Sequence, residues 1–96
     1  MAVIATFTVF ADAALFSQDA TLDPTTVPKR SVQVETFTVS GLTTDMKLIV
    51  TAPSLEAGLF IIDARVLAVD SLELKFWNST NSNINPASQT FSIKGF

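Results

Sequence analysis

The sequence predicts an all-β domain: a small β-sandwich of about six to eight short strands, immunoglobulin-like or jelly-roll-like, with no substantial helix. Three observations carry that expectation. Several segments alternate apolar and polar residues with period two. Turn-forming residues interrupt them at intervals of about 8–12 residues. No stretch repeats apolar residues at the spacing of a helix face.

The first candidate strand covers residues 3–10, VIATFTVF, with Val3, Ala5, Phe7 and Val9 on one face and Ile4, Thr6, Thr8 and Phe10 on the other. Both faces are only partly polar, so both are expected to be covered. Residues 11–31 follow as a long irregular arm or loop containing Asp12, Asp19, Asp23, Pro24 and Pro28. A helical turn at 13–16 and a short strand at 20–22 would break it up, because unstructured connections of this length are uncommon in compact domains. Its alternative role is an arm that docks on a neighbour, with Lys29 and Arg30 meeting an acidic surface.

Residues 32–40, VQVETFTVS, put Val32 and Val34 in one phase and Phe37 and Val39 in the other. A phase change in a period-two element predicts a bulge at Glu35 and Thr36. A turn over 41–45 leads to a short strand at 46–51, and residues 54–58 form a connection in which one helical turn could end at Gly58. Over 59–69, Phe60, Ile62, Ala64, Val66 and Ala68 make an unbroken apolar face, with Asp63 and Arg65 on the other. A tight reversal at Val69, Asp70 and Ser71 makes a hairpin with 72–78, where Leu72, Leu74 and Phe76 alternate with Glu73, Lys75 and Trp77. Residues 79–88, STNSNINPAS, are a polar surface loop. The last strand, 90–96, turns Phe91 and Ile93 inward and Ser92 and Lys94 outward.

At 96 residues the chain is one domain, 1–96. It has no Cys, which excludes disulfides and thiolate metal sites, and no His, which removes most zinc sites and every His-based triad. Composition therefore argues against an enzyme. Charged residues make up 16% of the chain and apolar ones 48%, where ordinary domains carry about 25% charged residues. With a mean hydropathy of +0.42, some apolar surface is expected to be covered by other subunits. The net charge of −3 disfavours nucleic acid and anionic lipid as partners. Asp63 and Arg65 interrupt the longest apolar run, so no membrane span is expected. The N-terminus lacks the cationic region of a signal peptide, so a chain made and used without secretion is expected.

Candidate sites are few, and each has a simpler structural explanation. Asp63 suits a surface ion pair with Arg65 on its own strand face, and Asp45 and Asp70 suit turns. Asp12, Asp19 and Asp23 lack the spacing of a calcium loop. The Ser and Thr residues have no evident base, and Gly41, Gly58 and Gly95 make no phosphate cradle. Trp77 could stack on a sugar if exposed, but burial by the Asn-rich loop or a neighbouring subunit is favoured. Asn78, Ser79 and Thr80 fit a glycosylation acceptor pattern without a secretory route. Phe96 is expected to fill an apolar pocket in its own core or a neighbour's. No catalytic, cofactor-binding or metal-ligating residue is assigned, and no cofactor is expected.

Over residues 20–96 the order of features resembles a family of small β-sandwich proteins encoded by tailed bacteriophages. The residues that carry the resemblance are ATLDP at 20–24, VETFTVSGL at 34–42, Asp45 before KLIV, AP at 52–53 and LEAGL at 55–59. ARVLAVDSLELKFWN at 64–78 and INPASQTFSIKGF at 84–96 complete it. The resemblance implies a virion structural protein of the head decoration, cement or knob class, made in the host cytoplasm and located on the head exterior. Its implied partners are the major capsid protein and further copies of itself, with a trimer favoured by shell symmetry. Tail, neck or fibre components, or a carbohydrate- or receptor-binding module, are the alternatives.

Overall fold

Leu72, Leu74 and Phe76 are fully buried along one strand, and that strand is the centre of its sheet. A computed structural model describes residues 15–96 of the chain. It contains β1 (Phe16–Leu22), β2 (Val32–Thr38), β3 (Leu48–Thr51), β4 (Leu59–Ala68), β5 (Ser71–Asn78) and β6 (Gln89–Gly95), and no helix among the described residues. These form two three-stranded antiparallel sheets, β1-β6-β3 and β2-β5-β4. The expected all-β sandwich is thus the fold observed. The strand expected at 3–10 lies outside the described residues.

Among the described residues, only the β4–β5 hairpin stays within one sheet; the other connections cross to the opposite sheet. The core between them holds Leu72, Leu74 and Phe76 of β5, Phe91 and Ile93 of β6, Leu22 of β1, Leu59 and Val66 of β4, and Val27, Val39 and Leu42 from connections. The alternation expected for β5 and β6 is the alternation observed.

Three expectations are corrected. First, the irregular arm over 11–31 contains the seven-residue strand β1, which pairs with β6 from Phe16↔Gly95 to Leu22↔Gln89. Gln18 and Asp19 are poor strand formers, and pairing to a buried neighbour overrides that preference. Second, β2 pairs with β5 in unbroken register from Val32↔Trp77 to Thr38↔Ser71, so Glu35 and Thr36 carry no bulge. Gln33, Glu35 and Phe37 face inward, while Val32 and Val34 are exposed on the outer face. The apparent phase change reflects valines on an outward face and polar residues on an inward one.

Third, the irregularities fall in β4, between Ile61 and Asp63 and between Val66 and Ala68. An extra residue in a period-two strand reverses which side chains face the core. Leu59, Ile61, Ala64 and Val66 therefore turn inward, and Phe60 and Ile62 turn outward, 52% exposed each. The expected apolar face of Phe60, Ile62, Ala64, Val66 and Ala68 is split between the two sides.

The connections follow from local chemistry. Residues 54–58 form no helical turn; instead the Leu59 amide donates to the Glu56 carbonyl at 3.1 Å, with Gly58 at φ 84°. The Asn-rich loop lies on the surface but is anchored by an isolated bridge between Val27 and Ile84 and by the buried Pro86.

Candidate interaction surface

The outer faces of the two sheets differ in chemistry. On the β1-β6-β3 sheet, the register sets Ser17 and Ile49 on either side of Lys94, Asp19 and Thr51 on either side of Ser92, and Thr21 against Thr90, a surface that is polar apart from Ile49, 59% exposed. On the β2-β5-β4 sheet, Val32, Trp77 and Phe60 lie side by side across all three strands. The next row is Val34, Lys75 and Asp63, with Ile62 exposed beside it, and the row after that is Thr36, Glu73 and Arg65. An apolar row thus grades into charged rows along one sheet face, beyond which Leu67 and Val69 are exposed again near the β4–β5 turn.

The β4 bulge creates this face. Without it Phe60 and Asp63 would point to opposite sides; with it both stand outward, Phe60 opposite Trp77 and Asp63 opposite Lys75. Trp77 is half-buried between Val32 and Phe60.

The ion pairs run across strands. Arg65 Nε donates to Glu73 Oε1 at 2.7 Å, and Lys75 Nζ lies 3.8 Å from Asp63 Oδ2. The expected Asp63–Arg65 pair is replaced because directly opposed residues on neighbouring antiparallel strands stand closer than residues two apart on one strand. Glu73 sits on the central strand with its side chain only 11% exposed. The hydrogen bond from Arg65 holds the Glu73 carboxyl below its ordinary range against the opposing effect of burial, and the same bond raises Arg65. Asp45 is likewise lowered, chiefly by the Thr43 hydroxyl, which donates to it at 2.6 Å.

The remaining candidates are dispersed. Asp19 and Asp23 are exposed, and Asp12 lies outside the described residues. Among the described residues no group of three His, Cys, Asp or Glu side chains gathers as a metal site. Lys29 and Arg30 are fastened to the Asn-rich loop: the Lys29 amide donates to Asn83 Oδ1 at 3.0 Å, and Arg30 Nη1 donates to the Ser79 carbonyl at 3.0 Å. Phe96 pairs its backbone with Lys47 at 2.9 and 3.0 Å, and its residue surface is 40% exposed.

Asn78 is a structural residue that its sequence context does not reveal. Fully buried, its Nδ2 donates to the Val27 and Ser82 carbonyls at 3.0 and 2.8 Å, while its Oδ1 accepts from the Thr80 amide and hydroxyl at 2.9 and 2.7 Å. Every hydrogen-bonding direction of the amide is used. The nitrogen that an oligosaccharide would have to join is therefore engaged inside the fold.

No protein-family model, curated protein or solved structure matches the chain.

Proposed function

We propose that this domain is a non-enzymatic structural subunit of a tailed-bacteriophage virion, of the decoration or cement class. It acts in many copies as a homo-oligomer on the major capsid protein. The observation that carries the reading is the outward apolar row of Val32, Trp77 and Phe60, its two flanking members half exposed, set on one sheet while the opposite sheet presents a face that is polar apart from Ile49. A sheet face of this kind attaches by area burial, at about 25 cal/mol per Å² of apolar surface removed from water. Repetition over a symmetric shell multiplies a modest contact into firm attachment. The charged rows beside it set orientation more than strength.

The test is mass spectrometry of purified particles encoded by the same genome, with the copy number of this chain set against that of the major shell protein. Presence at a stoichiometry matching shell symmetry supports the reading, and a ring-like copy number of about six or twelve would move the protein to the tail or neck. Absence from the particle overturns it. The carbohydrate-binding alternative has one observation in its favour, the half-buried indole of Trp77 beside the exposed Phe60. A glycan array without signal would remove it.

A further inference from the structure

The four sheet edges are unequally protected. β4 is bulged twice. β3 has only four residues, followed closely by Pro53. β1 carries Gln18 and Asp19 at its middle. These are recognised defences against strand addition. β2 is the least protected: seven residues in unbroken register with no proline and no lysine, two valines, each 48% exposed, on its outer face, and a single charge, the inward-facing Glu35, whose carboxylate the Thr25 amide already engages. Among the described residues, no other backbone hydrogen-bonds the backbone of its free edge; the Thr25 amide reaches only the Glu35 side chain.

We infer that β2 of one copy pairs antiparallel with β2 of a second copy about a two-fold axis at Val34, joining the two β2-β5-β4 sheets into one six-stranded sheet. This rests on the homo-oligomeric reading above. A two-fold axis must place one residue opposite itself, and the side chains select which. Centred on Glu35, the contact sets two carboxylates about 5 Å apart, which is repulsive. Centred on Thr36, it sets Glu35 against Phe37. Centred on Val34, it sets Val34 against Val34 and Val32 against Thr36 on the outer face, and Gln33 against Glu35 on the inner one. The Gln33 amide then donates to a carboxylate. The Glu35 oxygens already accept the Thr25 amide at 2.9 and 3.0 Å and retain free lone pairs. The joined sheet also brings the Val32 and Val34 patches of both copies together. The contact makes a dimer, in place of the trimer expected from shell symmetry.

The chain has no cysteine, so one introduced thiol reports its own neighbour. Val34→Cys is expected to oxidise to a disulfide-linked dimer at least ten times faster than Thr36→Cys. At this register two Thr36 positions stand about 14 Å apart along the strands, beyond the roughly 7 Å that a disulfide can bridge. Sedimentation equilibrium of the full chain supplies the second readout: Gln33→Lys, facing Glu35, tightens association, and Gln33→Glu loosens it. Equal cross-linking rates, or a Gln33 pair that fails to move association in opposite directions, overturn the edge contact. If the chain still sediments as an oligomer in that case, the homo-oligomeric reading survives. A chain that is monomeric throughout overturns both. A Val34→Cys dimer from a protein absent from virions keeps the contact and removes the virion role.

Discussion

The Asp70 carboxylate accepts the Gly41 amide at 2.8 Å, tying the β4–β5 turn to the turn that follows β2. Two backbone bonds reinforce the tie: the Val39 amide donates to the Asp70 carbonyl at 2.9 Å, and the Asp70 amide donates to the Leu42 carbonyl at 3.0 Å. Both residues take left-handed backbone conformations, Asp70 at φ 62° and Gly41 at φ 98°. Asp tolerates that region better than most residues. The positive φ favours glycine at 41, and a Cβ there would stand 2.9 Å from the Phe16 ring, which would have to shift.

Asp70→Ala loses both the acceptor and the left-handed tolerance, and is expected to lower unfolding free energy by about 1–3 kcal/mol. Asp70→Asn keeps an acceptor and the conformational tolerance, and should retain most of the stability. Chemical denaturation followed by circular dichroism measures the difference, and equal losses in the two variants would remove the side-chain bond from the account.

Asn78→Asp replaces two buried donors with a carboxylate aimed at the carbonyls of Val27 and Ser82. A loss of roughly 2–4 kcal/mol is expected at neutral pH, from unmade bonds and a buried charge. The introduced carboxyl has its folded-state pKa raised above the unfolded value, so the loss should shrink as pH falls and the group protonates. A loss that does not change with pH would contradict the burial and bonding described for this site.

The depressed Glu73 carboxyl makes an acid-labile contribution. Its folded pKa lies below the unfolded one, so the contribution is complete above the ordinary glutamate range and is lost as pH falls through the lowered folded value. Glu73→Gln should flatten the acid limb of a stability–pH curve relative to the parent chain and leave its shape above neutral pH unchanged. Identical acid limbs would show that the bond to Arg65 does not hold Glu73 ionised.

Phe60→Glu separates attachment from folding. Phe60 is half exposed on the outer face, so the substitution should change stability by no more than about 1 kcal/mol while weakening binding to the particle. Phe76→Ala, at a fully buried position of β5, should cost about 3–5 kcal/mol. Denaturation and particle co-sedimentation of the two variants give the comparison; a Phe60→Glu chain that binds as well as the parent would take this face out of the attachment surface.

Strand identity along most of this chain follows from local pattern. The alternation of Leu72, Leu74 and Phe76 with Glu73, Lys75 and Trp77 is legible because β5 is central, with one face on the core, and period two then maps directly onto burial. β6 and the Asp70 reversal are legible for the same reason: a single strong local preference meets no competing demand. The candidate surface was not legible, because its residues reach one face through long-range choices. The bulge in β4 depends on pairing with β5, and it alone brings Phe60 beside Trp77 and Asp63 beside Lys75. Val32 and Val34 read as core residues in isolation, yet the register with β5 turns them outward. Asn78 reads as the last residue of a strand and the start of a glycosylation acceptor pattern, yet the approach of Val27 and Ser82 makes it a buried hydrogen-bonding centre. Local propensity thus selects strands and turns, whereas facing, register and the partners of buried polar groups come from contacts between distant segments, where a shift of one residue reverses every side chain.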